Sequence, residues 1–271
     1  MKPRILILVI GLIITPMATA NTPLERFEQL YDELLSSYWH EPVTINNIRT
    51  TTLDYTAIWR SSIHPPSLYH RVLKALAEVR PEKLDARQAE AFWINTYNFA
   101  AIRLVVDHYP VPSIRSFKIS WRLYPWSQKA VQVRGNWYTL TAIEKHMLLE
   151  RFGDPRILFA ISCASISCPD QPSHPYTADR LNLQLDKTLR HFLANPGKGL
   201  HLDRAEPGLW LSWIFKKDRS WFPEGDESLM GFIKPYMDQK TAAWLGEHHP
   251  VEVRYLPHDW TLNDWALRRK E

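Results

Sequence analysis

The chain has 271 residues, of which 45% are hydrophobic and 23% are charged, with a formal net charge of +4 at neutral pH. This balance is typical of a globular protein and excludes disordered, collagen-like and coiled-coil classes. The 2 cysteines cannot form a disulfide-rich scaffold, and the 9 glycines leave little scope for glycine-rich phosphate-binding loops.

The first twenty residues predict an export signal. Lys2 and Arg4 precede an apolar run over residues 5–14, and an Ala-x-Ala cleavage signal ends at Ala20. The apolar run falls well short of the ~20 residues that a membrane-spanning helix needs. We therefore expect cleavage after Ala20 and a soluble periplasmic or secreted protein with no stable membrane span.

Removal of this segment leaves 31 basic and 29 acidic residues, a net charge of +2. So small a charge, together with export, argues against a nucleic acid partner. The partner classes that remain are small molecules, peptides and components of the cell envelope. Nucleotide-binding and catalytic motifs such as G-x-G-x-x-G, G-x-S-x-G and H-E-x-x-H are missing, and the 11 histidines are scattered. The sequence thus predicts no cofactor and no metal site.

The first part of the chain is predicted to be helical. Thr22 and Pro23 suit the N-cap and the first helical position. The third helix is apolar on nearly every face and should be central and buried. Helices are predicted over residues 23–41, 66–80 and 86–109.

The middle of the chain changes to a strand pattern. A short hairpin is predicted around the turn Arg134-Gly135-Asn136, followed by a helix over residues 141–152 that Thr139 or Thr141 caps. The continuous apolar run over residues 157–162 predicts a central strand that is buried on both faces.

The last part alternates between the two element types. Thr177 is predicted to cap an amphipathic helix whose apolar face includes Leu181, Leu185, Leu189 and Phe192. Strands are predicted over residues 199–203, 209–212 and 251–255, and helices over residues 227–237 and 240–247. With no internal repeat or linker, residues 21–271 are expected to form one compact α+β domain, with helices around a small mixed or antiparallel sheet.

The segment over residues 162–169 holds both cysteines and is the most chemically dense part of the chain. Cys163 follows the predicted buried strand and would be a nucleophile if a base and backbone donors converge on it. Two alternatives compete with this interpretation: a disulfide between Cys163 and Cys168, or an inert buried thiol. The spacing differs from that of C-x-x-C redox motifs.

Polar groups in the long apolar helix are further candidates. Asn95 and Asn98 lie on neighbouring helix faces, and a buried amide needs hydrogen-bond partners. The pair either ties the helix to a loop backbone, such as the cysteine segment, or orients a catalytic imidazole or a substrate amide. Tyr97 adds a hydroxyl group that either role can use.

Candidate bases come from proximity in the sequence. His146 and His174 are the histidines nearest the cysteine segment on either side. Glu144 lies on an amphipathic helix, where a carboxylate is usually solvated. The tryptophans form no regular ladder, so packing is a better explanation for most of them than carbohydrate binding.

Four blocks of sequence, AFWINTYN, DPRILFAISCASISCP, YTADRLNLQLDKTLRHFL and LPHDWTLND, resemble the family known as domain of unknown function 547. The resemblance extends from about residue 82 to residue 264. It implies an exported bacterial member of a widespread family without an established activity. The family pattern falls on Trp93, Asn95, Tyr97, Asn98, Ile143, Glu144, Asp154, Pro155, Arg156, Cys163, Ser165, Cys168, Pro169, Asp259, Trp260, Leu262 and Asn263.

The chain departs from the family at two positions. Relatives often carry a histidine where this chain has Lys145 and another where it has Leu158. If a histidine acts as a base beside Cys163 in this chain, His146 would have to take the place of these family histidines.

The resemblance and the residues together favour a periplasmic binding or interaction module. Its pocket would be formed by Cys163, Asn95 and Glu144, with Cys163 and Cys168 joined in a disulfide. The ligand contacts expected in addition are those of Asn98, Tyr97, Ser165 and Arg156.

The alternative is a thiol-dependent hydrolase or acyltransferase. Cys163 would be the nucleophile, His146 or His174 the base, and Asn95 the group that orients the base. Glu144 would belong to the same catalytic site.

Overall fold

The computed structural model describes residues 21–203, 208–248 and 251–268. The predicted export signal and its cleavage position lie outside these residues. The described residues form a compact domain of mixed helix and small sheets, which is the predicted α+β class.

The first helix, α1 (Pro23–Tyr38), begins as predicted. The Thr22 side chain accepts from the amide of Glu25, and the Glu25 carboxylate accepts from the amide of Thr22, which together make a capping box with Pro23 at the first turn. One face of α1 is buried against the core.

A hairpin that the sequence analysis did not predict follows α1. Strand β1 (Trp39–Ile45) pairs antiparallel with β2 (Ile48–Leu53), so the first helix ends before the expected position at Pro42. Asn46 and Asn47 both have positive φ, of 49° and 64°, which a two-residue hairpin turn of type I′ requires. Pro42 lies where the pairing register shifts, a place where its missing N–H is tolerated.

Three helices follow, of which the first was not predicted and the other two correspond to the helices expected over residues 66–80 and 86–109. They are α2 (Tyr55–Ser62), α3 (Leu68–Glu78) and α4 (Ala86–Val106). Helix α4 begins at a capping box between Asp85 and Gln88 and is buried on nearly all sides, as its composition predicts. Phe92 and Phe99 on α4 pack edge-on against aromatic rings of α1.

The predicted middle hairpin is confirmed as β3 (Lys129–Val133) and β4 (Asn136–Thr139). Thr139 caps the helical segment after it, which consists of α5 (Leu140–Ala142), a π-helical turn (Ile143–Leu149) and α6 (Glu150–Phe152). π-helical turns are rare and often occur at functional sites. This one contains Glu144.

The predicted central strand over residues 157–162 is wrong. Pro155–Phe159 form a 3₁₀ helix that the Asp154 side chain caps, and the chain then continues without strand structure through Ser162. An apolar run of five or six residues suits a buried helical turn as well as a buried strand, because both lack a polar face. Pro155 in the first position decides in favour of the helical turn.

Helix α7 (Leu181–Leu193) has the predicted buried face, but the predicted Thr177 cap is wrong. Its N-cap is Arg180, because the turn that begins at Thr177 is a separate one closed by the bond from the Arg180 amide to the Thr177 carbonyl. Helices α8 (Trp213–Lys217), α9 (Asp226–Ile233) and α10 (Gln239–Glu247) follow. Short 3₁₀ turns occur at Pro81–Lys83, Pro125–Ser127, Arg219–Trp221, Lys234–Tyr236 and Trp265–Leu267.

A mixed three-stranded sheet completes the fold. Strand β6 (Gly208–Leu211) pairs antiparallel with β5 (Leu200–Asp203) and parallel with β7 (Glu252–Tyr255), at the predicted positions. Buried hydrophobic side chains from α1, α4, α7 and this sheet form one large core cluster. Within the described ranges, no helix combines the length and the apolar character that crossing a membrane requires.

Candidate functional site

The two buried asparagines of α4 hold two different loops. Asn98 donates to the carbonyl of Ala160 (3.0 Å) and accepts from the amide of Ser162 (2.7 Å). Asn95 makes the same pair of bonds with the carbonyl and amide of Tyr176, at 2.8 and 2.9 Å. Of the two roles that the sequence left open, these bonds support the one in which the amides tie the helix to loop backbones, and Asn98 is the one that fixes the start of the cysteine segment.

The cysteine segment forms a tight loop. Cys163 and Cys168 are joined in a disulfide, as one of the sequence alternatives has it. Ala164 between Cys163 and Ser165 has φ of +60°, which is uncommon for a residue with a Cβ and is retained only where the surroundings impose it. Ser165 forms a β-bridge with Leu262, so the loop is fixed against the C-terminal part of the chain.

The titratable side chain of His258 lies next to the disulfide. Its Nε2 lies 3.0 Å from Ser165 Oγ and 3.8 Å from Cys168 Sγ. Its ring packs on Trp260, with 4.0 Å between the centroids. Burial lowers the pKa of His258 to about 4, and nearby positive charges that include Lys217 act in the same direction. The imidazole is therefore neutral at neutral pH, and an unprotonated Nε2 can accept a hydrogen bond from the Ser165 hydroxyl.

Cys163, Cys168 and His258 also place three metal-binding atoms within 4.8 Å of one another. Cysteine binds a metal ion as a thiolate, however, and in the disulfide the two sulfurs are bonded to each other. In this state only the imidazole is available as a ligand, which is too few for a metal site.

A second polar group lies opposite, at the end of α8. The Lys217 ammonium is 3.1 Å from Glu144 Oε1 and 3.1 Å from both carboxylate oxygens of Asp218. Both carboxylates are buried, whereas Lys217 is about one-third exposed. The Tyr97 hydroxyl is 3.5 Å from Glu144 Oε2 and accepts from the Trp126 indole at 3.3 Å.

The pKa values of Asp218 and Lys217 are both raised, the first chiefly by burial and the second by the neighbouring carboxylates. Burial raises the pKa of Asp218, and the Glu144 carboxylate adds to the increase, although Lys217 opposes it. Burial would lower the pKa of Lys217, but the carboxylates of Glu144 and Asp218 outweigh it and raise that pKa. Burial and then the Glu144 charge hold the pKa of Tyr97 well above its usual range, so the phenol stays protonated.

Between the disulfide and this acidic group lies a small cavity of about 40 Å³, hereafter the acidic cavity. Three tryptophans line it, and their rings meet edge to face: Trp126 and Trp260 at 5.3 Å between centroids, and Trp213 and Trp260 at 6.0 Å. The other lining residues are Tyr97, Glu144, Leu158, Ile161, Cys163, Cys168, Pro169, Ile214, Lys217, Asp218 and His258.

The acidic cavity brings together only part of the predicted site. Cys163, Cys168, Glu144 and Tyr97 line it, and Ser165 lies directly behind the disulfide. Asn95 does not line it, because both of its hydrogen bonds go to the Tyr176 backbone.

Three further candidates are engaged elsewhere. His146 is exposed and bonds to Glu150, four residues along its own helix. His174 is exposed and bonds to Asp32 of α1. Arg156 donates to Asp154 and Asp186, which raises its pKa and makes it a link between the 3₁₀ helix and α7.

Larger cavities lie elsewhere, and two of them have volumes of about 480 Å³ each. One is a mostly apolar groove between α9, α10 and β7, and the other lies between α7 and the β1–β2 hairpin. Neither contains the disulfide or the Glu144 group. The acidic cavity is the better candidate, because it combines convergent polar groups, shifted pKa values and a bonded pair of cysteines.

Sequence reasoning missed His258, Lys217 and Asp218. His258 lies two positions before Trp260 in the LPHDWTLND block, so its place in a family-like block could have indicated it. Lys217 and Asp218 lie in no such block, and nothing in the local sequence distinguishes this lysine from its neighbour Lys216.

Fold and site together define an α+β domain with a disulfide-bonded loop at a small acidic cavity. The family described as "Protein of unknown function, DUF547" matches residues 81–193, which extend from the turn before α4 to the end of α7. This match supports the family resemblance drawn from the sequence, and it includes the cysteine loop and Glu144 but not His258 or Lys217. No curated protein and no solved structure matches the chain.

Proposed function

We propose that this protein is an exported binding module, periplasmic or secreted, whose acidic cavity receives a positively charged amine of a small molecule or peptide. The proposal rests on the charges at the cavity, where two buried carboxylates share one lysine.

The charge balance favours a further cation. Glu144 and Asp218 carry two negative charges when ionised, and Lys217 supplies one positive charge. A buried carboxylate without a full counter-charge is unfavourable, which the raised pKa of Asp218 reflects. An ammonium group in the cavity would supply the missing charge and would lower that pKa again.

The walls suit the same ligand. Trp126, Trp213 and Trp260 line the cavity, and indole is the side chain whose face attracts a cation most strongly. Aromatic rings are used in this way by the cages that recognise quaternary ammonium ligands.

Size restricts which part of the ligand enters. A volume of about 40 Å³ is slightly more than the ~30 Å³ that one water molecule occupies in the liquid. A single ammonium group fits, and the rest of the ligand must extend outward past the tryptophans. The site therefore recognises an end group rather than a whole molecule.

A ligand-class experiment tests this proposal. The purified protein is titrated by calorimetry with butylammonium chloride, and with 1-butanol and sodium butyrate as ligands of the same chain length. Binding of butylammonium alone, weakened by added salt, is the expected result. Equal binding of butanol would show that the charge of the ligand does not matter. Binding of butyrate would show that the cavity prefers an anion, and either result would contradict the proposal.

The thiol-dependent hydrolase or acyltransferase remains a second candidate because His258 lies next to the cysteines. In the disulfide form no thiolate is present, so activity would require prior reduction by a dithiol. His258 would then replace His146 as the base. Hydrolysis of p-nitrophenyl acetate that depends on reduction and disappears in Cys163→Ala would support the enzyme. Equal rates before and after reduction would reject it.

A further inference from the structure

We propose that the loop over residues 113–124, hereafter the aromatic loop, docks the protein on an anionic lipid bilayer. Three aromatic residues of this loop lie in solvent: Phe117 is 70% exposed, Trp121 71% and Tyr124 52%. They fall within eight consecutive positions. Large aromatic side chains in such numbers on one exposed loop indicate an interaction surface.

The charge of this region is one-sided. No aspartate or glutamate occurs from residue 108 to residue 143, and the basic residues in this range are Arg115, Lys118, Arg122, Lys129 and Arg134. The rest of the chain contains both signs in nearly equal numbers. The positive charge is thus concentrated where the exposed rings are.

The aromatic loop is held in place, so the exposure of its rings is a property of the fold. Ile114 and Ile119 are buried in the core. Backbone hydrogen bonds close successive turns, from Ser116 to Ser113, from Ile119 to Ser116 and from Leu123 to Ser120. Arg115 donates to the Leu123 carbonyl and so joins the two ends of the loop.

This combination fits the interface of a lipid bilayer. Tryptophan, tyrosine and phenylalanine partition to the headgroup level, where an apolar ring and a polar edge are both satisfied. Lysine and arginine beside them attract anionic headgroups. A second copy of this chain fits less well, because two positive surfaces would repel each other.

The docking proposal does not rest on what the acidic cavity binds, although the two sites are neighbours. Trp126 continues the same stretch of chain and lines the cavity, and Arg115 lies 5.0 Å over the Trp260 ring. The exposed rings themselves take no part in the cavity.

Vesicle binding tests the proposal on the full chain, exported and processed by a host cell. The protein is sedimented with vesicles of phosphatidylglycerol and phosphatidylcholine in equal parts, and with vesicles of phosphatidylcholine alone. We expect binding to the anionic vesicles only, weakened by salt, with a blue shift of tryptophan emission. No binding to the anionic vesicles would overturn the proposal.

Two pairs of variants locate the surface. Phe117→Ser with Trp121→Ser is expected to weaken binding at least about tenfold, whereas Leu183→Ser, at a residue 69% exposed on α7, is expected to leave it unchanged. Lys118→Glu with Arg122→Glu is expected to abolish binding. Lys187→Glu with Lys240→Glu makes the same change of net charge at exposed positions on α7 and α10, and most binding should persist.

Three results would contradict the assignment. If the loop variants bind as the unaltered protein does, another surface is responsible. If the two charge variants lose binding equally, the attraction is one of net charge. If sedimentation velocity finds a dimer that Phe117→Ser with Trp121→Ser dissociates, the occupant is a second copy of the chain.

Discussion

His258 and Ser165 are joined by a hydrogen bond of 3.0 Å between Nε2 and Oγ, although 93 positions separate them in the chain. The bond lies against the Cys163–Cys168 disulfide and fixes the C-terminal segment on the cysteine loop. Two parts of the sequence that carry family-like blocks thus meet at one wall of the acidic cavity.

The disulfide closes a short loop, so its removal should cost a moderate amount of stability. Cys163→Ala with Cys168→Ala is expected to lower the free energy of unfolding by about 2 kcal/mol, from the loop entropy of six residues. Urea denaturation measures this change. A thiol assay on the unfolded protein should find two thiols after reduction and none before it. Two thiols without reductant would contradict the disulfide.

Asn98 and Asn95 make equivalent bonds, which provides a matched pair of variants. Either Asn→Ala change leaves two buried backbone groups unpaired and should cost roughly 2–5 kcal/mol of unfolding free energy. Only Asn98→Ala should also speed the reduction of the disulfide by dithiothreitol, because Asn98 holds Ser162 beside Cys163. Equal reduction rates in both variants would show that Asn98 does not position the cysteine loop.

His258 predicts a loss of stability on acidification. Its pKa falls from 6.5 to about 4 in the folded protein, chiefly through burial. The unfolded chain therefore takes up a proton first as the pH falls below 6.5, and stability is lost between pH 6.5 and 4. The loss that this group contributes is about 3 kcal/mol. Urea denaturation at pH 7 and pH 4 measures it.

His258→Gln can keep the hydrogen bond to Ser165 but cannot take up a proton. Between pH 7 and pH 4, its loss of unfolding free energy should therefore be smaller than that of the unaltered protein by about 3 kcal/mol. His64→Gln, at an exposed histidine, should behave as the unaltered protein does. A loss in His258→Gln as large as in the unaltered protein would assign the pH dependence to other groups.

The Lys217 ammonium partly neutralises two carboxylates, so its removal should lower the stability of the protein more at higher pH. Burial already raises the pKa of Asp218 in the folded protein, and Lys217→Met should raise it further. A carboxyl group with a raised pKa stabilises the fold while protonated, and this stabilisation is lost as the pH rises through that pKa. The melting temperature of Lys217→Met should therefore fall further below the unaltered value at pH 7 than at pH 4.

Lys216→Met is the control, because the Lys216 ammonium lies 5.8 Å from the centre of the Tyr255 ring instead of between carboxylates. Its effect on the melting temperature should not depend on pH over this range. A deficit in Lys217→Met that is equally independent of pH would show that the lysine acts through packing alone.

Local patterns predicted most of the elements of the fold. The capping residues Thr22 and Pro23, the uniformly apolar α4 and the turn before Asn136 each determine structure through nearby atoms. The strand expected over residues 157–162 failed because its apolar run has no period that separates strand from helix. The β1–β2 hairpin was missed although the Asn46-Asn47 turn is a local signal for it.

The site was harder to predict than the fold. Cys163 and Tyr97 were identified from their positions in the sequence and Glu144 through the family resemblance, and all three line the acidic cavity. Their partners Lys217 and His258 come from distant segments, and only tertiary packing brings them there. Proximity in the sequence favoured His146 and His174 instead, and both are exposed side chains paired with carboxylates elsewhere.

Calorimetric titration of Glu144→Gln with butylammonium is the sharpest test of ammonium binding in the acidic cavity. Removal of one carboxylate charge should weaken binding at least about tenfold, or ~1.4 kcal/mol. Glu150→Gln is the matched control, because Glu150 follows in the same helical segment but is exposed and pairs with His146. We expect Glu150→Gln to bind butylammonium as the unaltered protein does and Glu144→Gln to bind it more weakly. Unchanged binding by Glu144→Gln would contradict the proposal.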